Sequence, residues 1–333
     1  MLKKYKNIFN NTYTSIAAVL AMVLSPLADA IGGNYAFPIL TAILFVLFFY
    51  GLYQENKKIK KFKSDTIHIP IIIKIDEGPS VKYVMKNLLK QIEKDYSFNN
   101  YDEDLKKYFS IDTDTLTFEY KGDIYNFNHL MNFTWIIKYK LNEIEQQLDG
   151  KVKFHIAYYK RPSVGFLIGT LFRTEGIVIY QNNDYEDTFE KVANINSRQY
   201  KEKISNFTKY KVIENIQNKN ESNILVVINS ASHKVNLRAK SLKKYKSVIT
   251  VHLVENGTIP YESDWTIYAN EIYNILNDLQ TRYDNITIAH SMPEAIAVIL
   301  GMGLENYWNI HITQYADNDY KNVFTMSKIK YYT

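Results

Sequence analysis

Apolar residues are distributed along this chain in two distinct ways. Tyr13 to Ala28 and Tyr35 to Tyr53 are uncharged runs, the second reading FPILTAILFVLFFYGLY from Phe37 onward. Beyond Lys63 apolar residues instead recur at strand or helix spacing. A bilayer core takes about 20 apolar residues as helix, so the opening pattern predicts membrane-spanning helices over 13–31 and 35–53. Gly32-Gly33-Asn34 between them is turn chemistry and makes the pair a hairpin. A cleaved signal peptide is the rival reading, with Lys3, Lys4 and Lys6 before an apolar stretch, but a second and longer run follows at once.

Lysines set the orientation of this hairpin. Lys3, Lys4 and Lys6 flank the first run, Lys57, Lys58, Lys60, Lys61 and Lys63 the second, and the intervening turn has no Lys or Arg. The positive-inside rule therefore places both termini and the large domain in the cytoplasm of an inner-membrane protein.

The rest of the chain reads as strands alternating with helices. Ile67 to Ile75 (IHIPIIIKI) is a strand, Asp76 to Ser80 a loop, and Val81 to Lys94 a helix. Phe127 to Leu148 then reads as a long helix, Val152 to Tyr158 as a strand, Pro162 to Phe172 as a short helix and Ile177 to Tyr180 as a strand. The plan recurs with strands at Ile224–Ile228 and Val248–Leu253, a helix at Trp265–Tyr283, a strand at Ile286–Ala289, a short helix at Pro293–Leu304 and a strand at Ile310–Tyr315. In each half a proline opens a short helix directly after a strand. Gly165 and Gly169 in one helix, and Gly301 and Gly303 in the other, allow close packing on a sheet. The fold class is thus α/β, with a hairpin over 1–63 followed by two Rossmann-like halves, 64–220 and 221–333.

Composition narrows the chemistry. The 333 residues include no cysteine, which excludes disulfides, thiolate metal sites and a thiol nucleophile. The net charge of +5 is concentrated at the start: residues 1–63 carry +6 and the remainder −1. A near-neutral body is a poor general polyanion binder, so long nucleic acid is not an expected partner and any anionic ligand needs a local pocket. There is no Walker loop, no His-Glu-x-x-His and no Gly-x-Ser-x-Gly, and the seven histidines do not cluster with acids at ligand spacing. A binding protein without metal, cofactor or catalytic residue is the expectation.

The segment from Ile286 to Tyr332, ITIAHSMPEAIAVILGMGLENYWNIHITQYADNDYKNVFTMSKIKYY, resembles the C-terminal half of a SAVED domain, the sensor of bacterial cyclic-oligonucleotide anti-phage systems (CBASS). The matching features are Pro293-Glu294-Ala295 after a strand, the Ala-rich helix into Gly301, and the strand ending Gln314-Tyr315. That resemblance implies two fused CARF-like halves. With the hairpin ahead of it, it implies an effector whose oligomerisation on binding a cyclic trinucleotide or dinucleotide disrupts the membrane. A membrane-anchored adaptor, a channel subunit or a CRISPR-linked CARF-type sensor would use the same pocket.

A ring of phosphates and splayed bases requires helix N-termini, a few cations and flat side chains. Strand-to-helix loops at the carboxyl edge of the sheet supply them. Tyr159, Lys160, Arg161 and Ser163 combine an aromatic, two cations and a helix start; Asn229, Ser230, Ser232, His233 and Lys234 follow a strand of the second half; His290 and Ser291 mirror the first group. The acids of Asp76-Glu77 speak against phosphate contact there. Structural uses compete at each place: Lys160 and Arg161 as a solvated pair, His290 as a core histidine, Ser230 and Ser232 as helix caps. His233 with Lys234 is the one pair on which ligand cleavage would rest.

Overall fold

The structure, a computed structural model, describes residue 42, residues 45–54, residue 57 and residues 66–330 apart from 77, 149, 174–175, 184–187, 197, 218–220 and 256. The expected helix 13–31, the turn after it and most of the basic flanks lie outside the described residues. Of the expected second span, the continuous described part is helix 45–54. Among the described residues no helix is long and apolar enough to cross a membrane. The expectation of a multi-pass inner-membrane protein with a cytoplasmic domain is corrected on that ground.

The chain divides into two compact units. The smaller comprises residues 1–67, 100–112 and 148–151. Within it, residues 100–112 wind through short helical turns in which the Ile111 N–H donates to the Leu105 carbonyl at 3.1 Å. The larger comprises residues 68–99, 113–147 and 152–333 and holds two β-sheets, β1 alone beginning one residue earlier.

The first sheet is built from β1 (Ile67–Ile75), β2 (Thr117–Tyr120), β3 (Val152–Tyr159), β4 (Ile177–Asn183) and β5 (Thr188–Ile195), in the order β2-β1-β3-β4-β5. β1 is buried along its whole length, its six isoleucines joined by buried His68 and Lys74. Its β2 ladder covers only Ile72 to Ile75, so Pro70, which lacks an N–H, sits where that side of the strand is unladdered. The second sheet contains β6 (Tyr210–Asn215), β7 (Asn223–Asn229), β8 (Val248–Leu253), β9 (Asn285–Ser291), β10 (Ile310–Ala316) and β11 (Asp319–Thr325), in the order β11-β10-β9-β7-β8-β6.

The two orders are the same once β6 is set aside: β7, β8, β9, β10 and β11 take the places of β1, β2, β3, β4 and β5. Pairing agrees, with β1–β2, β3–β4, β7–β8 and β9–β10 parallel and the closing pairs β4–β5 and β10–β11 antiparallel. The duplication expected from the sequence is therefore present in the topology. Each half has a long helix, α2 (Phe127–Gln147) or α4 (Trp265–Arg282), before its third strand, and a short one, α3 (Pro162–Gly169) or α5 (Glu294–Gly303), after it. The halves differ in one connection. After β1 the chain forms α1 (Val81–Tyr96), whose Val84, Met85, Leu88 and Ile92 make a buried stripe at helical spacing, whereas residues 230–247 after β7 form only turns.

The two halves meet through their short helices. Both are apolar on all sides, and Ser163 to Gly169 and Ala295 to Gly303 are buried. A Cβ on Gly169 would lie 2.0 Å from the Val298 carbonyl oxygen, and one on Gly301 would lie 2.0 Å from that of Phe166. Glycine is required at both places because the partner atoms are backbone. Each large apolar side chain buried there, such as Phe166, Leu167, Val298 or Ile299, contributes about 1.5–3 kcal/mol.

Candidate functional site

The close crossing of α3 and α5 brings the start of each helix beside the other half. A cleft of about 740 Å³ opens there, lined by Asp76, Lys121, Lys160, Arg161, Pro162, Glu294 and Gln314. Five segments supply it: the ends of β1, β2 and β10, the β3–α3 turn and the first turn of α5. These are carboxyl ends of strands, the edge at which open α/β sheets bind ligands.

The β3–α3 turn is held in an unusual conformation. Lys160 and Arg161 both have left-handed backbone angles, with φ of 66° and 57°, and Asp76 across the cleft has φ of 65°. For a side chain other than glycine, asparagine or aspartate this costs about 1–2 kcal/mol, so neighbouring bonds must enforce it. The Tyr158 hydroxyl donates to the Arg161 carbonyl at 2.7 Å, and that same carbonyl accepts from the Val164 N–H at 2.9 Å. Tyr158 is completely enclosed, and its burial pushes the phenol pKa well above the usual range, so it remains a donor. Pro162 opens α3 with the fixed φ suited to a first helical position.

On the facing side, the Asp76 carboxylate accepts a hydrogen bond from Arg161 Nε in a partly exposed ion pair. The Asp76 N–H donates to the Tyr120 carbonyl at 2.8 Å, and buried Lys74 donates to the Pro79 carbonyl at 3.1 Å while pairing with Glu119 at 2.5 Å. Its hydrogen bond with Lys74 is the main reason Glu119 sits below the ordinary carboxylate range. Gly78 lies under the Tyr159 ring, where a Cβ would stand 2.7 Å from Cε1.

Two glutamines carry the internal symmetry into the cleft. Gln314 of β10 accepts from the Ser163 hydroxyl at 2.7 Å, reaching the start of α3. Gln181 of β4 accepts from the Ala295 N–H at 3.0 Å and donates to the Glu294 carboxylate at 2.8 Å, reaching the start of α5. Each half thus fastens the other half's helix.

The sequence candidates divide by place. Lys160 and Arg161 line the cleft, Tyr159 lies beside it with its ring centroid 5.9 Å from Lys160 Nζ, and Ser163 is buried behind it on Gln314. His290 is buried against Phe166, at a ring separation of 5.6 Å, and Ser291 accepts the Ser230 N–H at 2.7 Å through its carbonyl. Asn229 accepts the Val235 N–H at 2.8 Å and contacts His252 at 3.3 Å, and the Ser230 hydroxyl accepts from Tyr210 at 2.9 Å. Ser232, His233 and Lys234 are exposed and line neither this cleft nor the second one described among these residues. Lys121, Glu294 and Gln314 were not singled out by sequence as a cluster. A shared Tyr-Gln or Gln-Tyr dipeptide at the ends of β4 and β10 was the available signal for the glutamines. Among the described residues no group of His, Cys, Asp or Glu could hold a metal ion.

The sequence matches one sensor-domain family, SAVED, "SMODS-associated and fused to various effectors sensor domain", over residues 137–326, which is more than half of the chain. The chain belongs to the SAVED family. One solved structure agrees on the fold. This SAVED chain is similar to the Acinetobacter baumannii Cap4 SAVED/CARF-domain containing receptor with the cyclic trinucleotide 2′3′3′-cAAA, at 12% identity and a TM-score of 0.50, over 85% of this chain and 56% of that one. The same receptor with 3′3′3′-cAAA gives 13% identity, a TM-score of 0.48 and the same two coverages. The Moraxella osloensis Cap4 SAVED/CARF-domain containing receptor gives 13%, 0.45, 84% and 53%. The chain therefore spans about half the length of these solved proteins. No curated protein matches it.

Proposed function

We propose that this SAVED chain is the sensor of a bacterial cyclic-oligonucleotide anti-phage system, and that it binds a cyclic trinucleotide, or a cyclic dinucleotide, in the cleft between its halves. The observation that carries this reading is the left-handed pair Lys160 and Arg161, held by bonds from three elements at a strand end and aimed into a cleft that the second half completes with Glu294 and Gln314. Strain of this kind persists where a surrounding framework enforces it, and it gathers at ligand sites. Lys160, Lys121 and Arg161 supply the charge for phosphates, and the Gln314 amide supplies hydrogen bonding for a base edge. Support for the ligand class comes from family membership and from the trinucleotides named for the Cap4 receptors.

Binding, not turnover, is the activity assigned, and the messenger leaves the cleft unaltered. The output is self-association: a ligand that favours one arrangement of the two halves shifts the population toward it. Two non-identical halves offer a head-to-tail contact that need not close.

The test is a thermal-unfolding titration of the full chain with a panel of cyclic di- and trinucleotides, with linear triadenylate as control. A ligand bound only by the native state raises the midpoint with concentration. The expected result is a rise for one cyclic member, loss of that rise in Arg161→Ala, faster sedimentation with ligand, and intact ligand recovered afterwards. Equal shifts with linear and cyclic forms, or none at all, would overturn the reading.

A further inference from the structure

The cleft already contains an anion of its own. The Asp76 carboxylate sits on Arg161 Nε, in the cleft that Lys160 and Lys121 also line. A carboxylate and a phosphate make the same charge-assisted bonds to a guanidinium. Resting on the cyclic-oligonucleotide reading above, we propose that Asp76 is a built-in stand-in for a ligand phosphate, that Arg161 with Lys160 and Lys121 forms a phosphate subsite, and that the messenger binds by displacing the Asp76 side chain.

Three features favour exchange over a permanent tie. The ion pair is partly exposed, with 39% of the Arg161 and 28% of the Asp76 side chain accessible, so water and ligand reach it. Pairs of this kind contribute little net stability, so a multivalent phosphate ring outcompetes one carboxylate. The backbone does not depend on the pair: Asp76 is fixed through its N–H on Tyr120, Pro79 through its carbonyl on Lys74, and Gly78 under Tyr159. A side-chain rotation of Asp76 therefore vacates the subsite while the loop stays in place. The residue that turns away belongs to the loop running directly into α1, the helix that only the first half possesses.

The same displacement makes Asp76 a determinant of specificity. A neutral ligand of similar shape cannot replace the carboxylate without leaving Arg161 unpaired, whereas a phosphate can.

The experiment measures calorimetric affinity of the full chain for the cyclic trinucleotide 3′3′3′-cAAA and for whichever panel member binds wild type best, at two salt concentrations. Asp76→Asn removes the competing charge and is expected to tighten binding about fivefold and to steepen its salt dependence. Asp76→Glu, which restores the competitor, is expected to return both toward wild type. Melting temperature in the absence of ligand separates a folding defect from a binding effect, and hydrogen exchange of residues 76–80 and 159–161 in wild type, with and without ligand, reads the displacement without any variant. Wild-type binding that Asp76→Asn leaves unchanged or weakens, with normal melting and no exchange difference, overturns the phosphate stand-in and leaves the sensor reading intact. Absence of binding in both proteins overturns both.

Discussion

Gly169 and Gly301 occupy matching places in the two short helices, and each admits the backbone of the other half at a distance that no side chain tolerates. The oxygen facing Gly169 belongs to Val298 and the oxygen facing Gly301 belongs to Phe166, each three residues before the partner glycine. This reciprocity is the signature of a local twofold relation between duplicated units. It also explains why the ligand cleft lies where it does, because only so close a crossing brings the N-terminus of α3 to the β10 end and that of α5 to the β4 end.

Substitution at either glycine therefore separates the halves. Gly169→Ala and Gly301→Ala each drive a methyl group into a carbonyl that belongs to a helix and cannot yield. A loss of about 2–3 kcal/mol or more in unfolding free energy is expected from urea titration. Gly165→Ala, whose new methyl would meet Ala297 Cβ at 3.2 Å, is expected to cost less. Equal, small losses at all three would show that the helices are not in backbone contact.

The glutamines predict a division of labour. Gln181→Leu takes the acceptor from the buried Ala295 N–H and removes one donor to the partly exposed Glu294 carboxylate. That omission costs about 1–3 kcal/mol. Gln314→Leu releases the Ser163 hydroxyl and the solvent-exposed Tyr315 carbonyl and should cost about 1 kcal/mol, while removing a polar group from the cleft. Chemical denaturation paired with ligand titration checks both: Gln181→Leu should act mainly on stability and Gln314→Leu mainly on affinity. The reverse pattern would place the recognition group on the β4 side.

Much of the fold was legible because it rests on periodicity. The isoleucine-rich run of β1, the helix stripe of α1 and the proline-opened α3 and α5 each leave a pattern within one stretch of sequence. β2 and β6 did not: β2 is four residues long inside an irregular region, and β6 is a half-exposed edge strand whose Lys211, Glu214 and Asn215 disguise it. Of the site, the Lys160-Arg161 turn was visible because a proline follows a strand there. Its partners were not, since Asp76, Lys121 and Gln314 converge only after both sheets form. The acid of Asp76 speaks against phosphate contact in the sequence, and the fold pairs its carboxylate with Arg161. The opening apolar runs gave the strongest sequence signal, yet no membrane-crossing helix is found among the described residues.

Backbone strain at the cleft predicts a trade between stability and binding. Lys160 adopts a left-handed conformation that glycine takes without cost. Lys160→Gly relieves about 1–2 kcal/mol of strain against a smaller loss from glycine's greater freedom in the unfolded chain, for a net gain of about 0.5–1 kcal/mol. It also deletes a cation from the cleft. A higher melting temperature with weaker binding of the cyclic ligand is the expected outcome. Lower stability would mean that the Lys160 side chain holds the turn.

The pH dependence of stability has a definite sign, set by buried histidines. Burial pushes His290 down to about 4, and neither ring nitrogen has a hydrogen-bond partner among the described residues. His155, enclosed between His68 at 2.7 Å and the Tyr180 hydroxyl at 2.9 Å, is also pushed well below its ordinary value, first by burial and then by the neighbouring His68. A histidine whose folded pKa is depressed keeps its full contribution above the unfolded value near 6.5 and loses it as the pH falls. Over the window from about 6.5 to 4, the unfolded chain takes up a proton that the folded site at His290 refuses, and the loss approaches roughly 3 kcal/mol. Unfolding free energy measured between pH 7.5 and 4 should therefore decline steadily, and His290→Leu, which replaces the ring with an apolar group beside Phe166, should flatten the decline. Parallel curves for the variant and wild type would locate the acid sensitivity elsewhere, with the His68–His155 pair the remaining source in the first half.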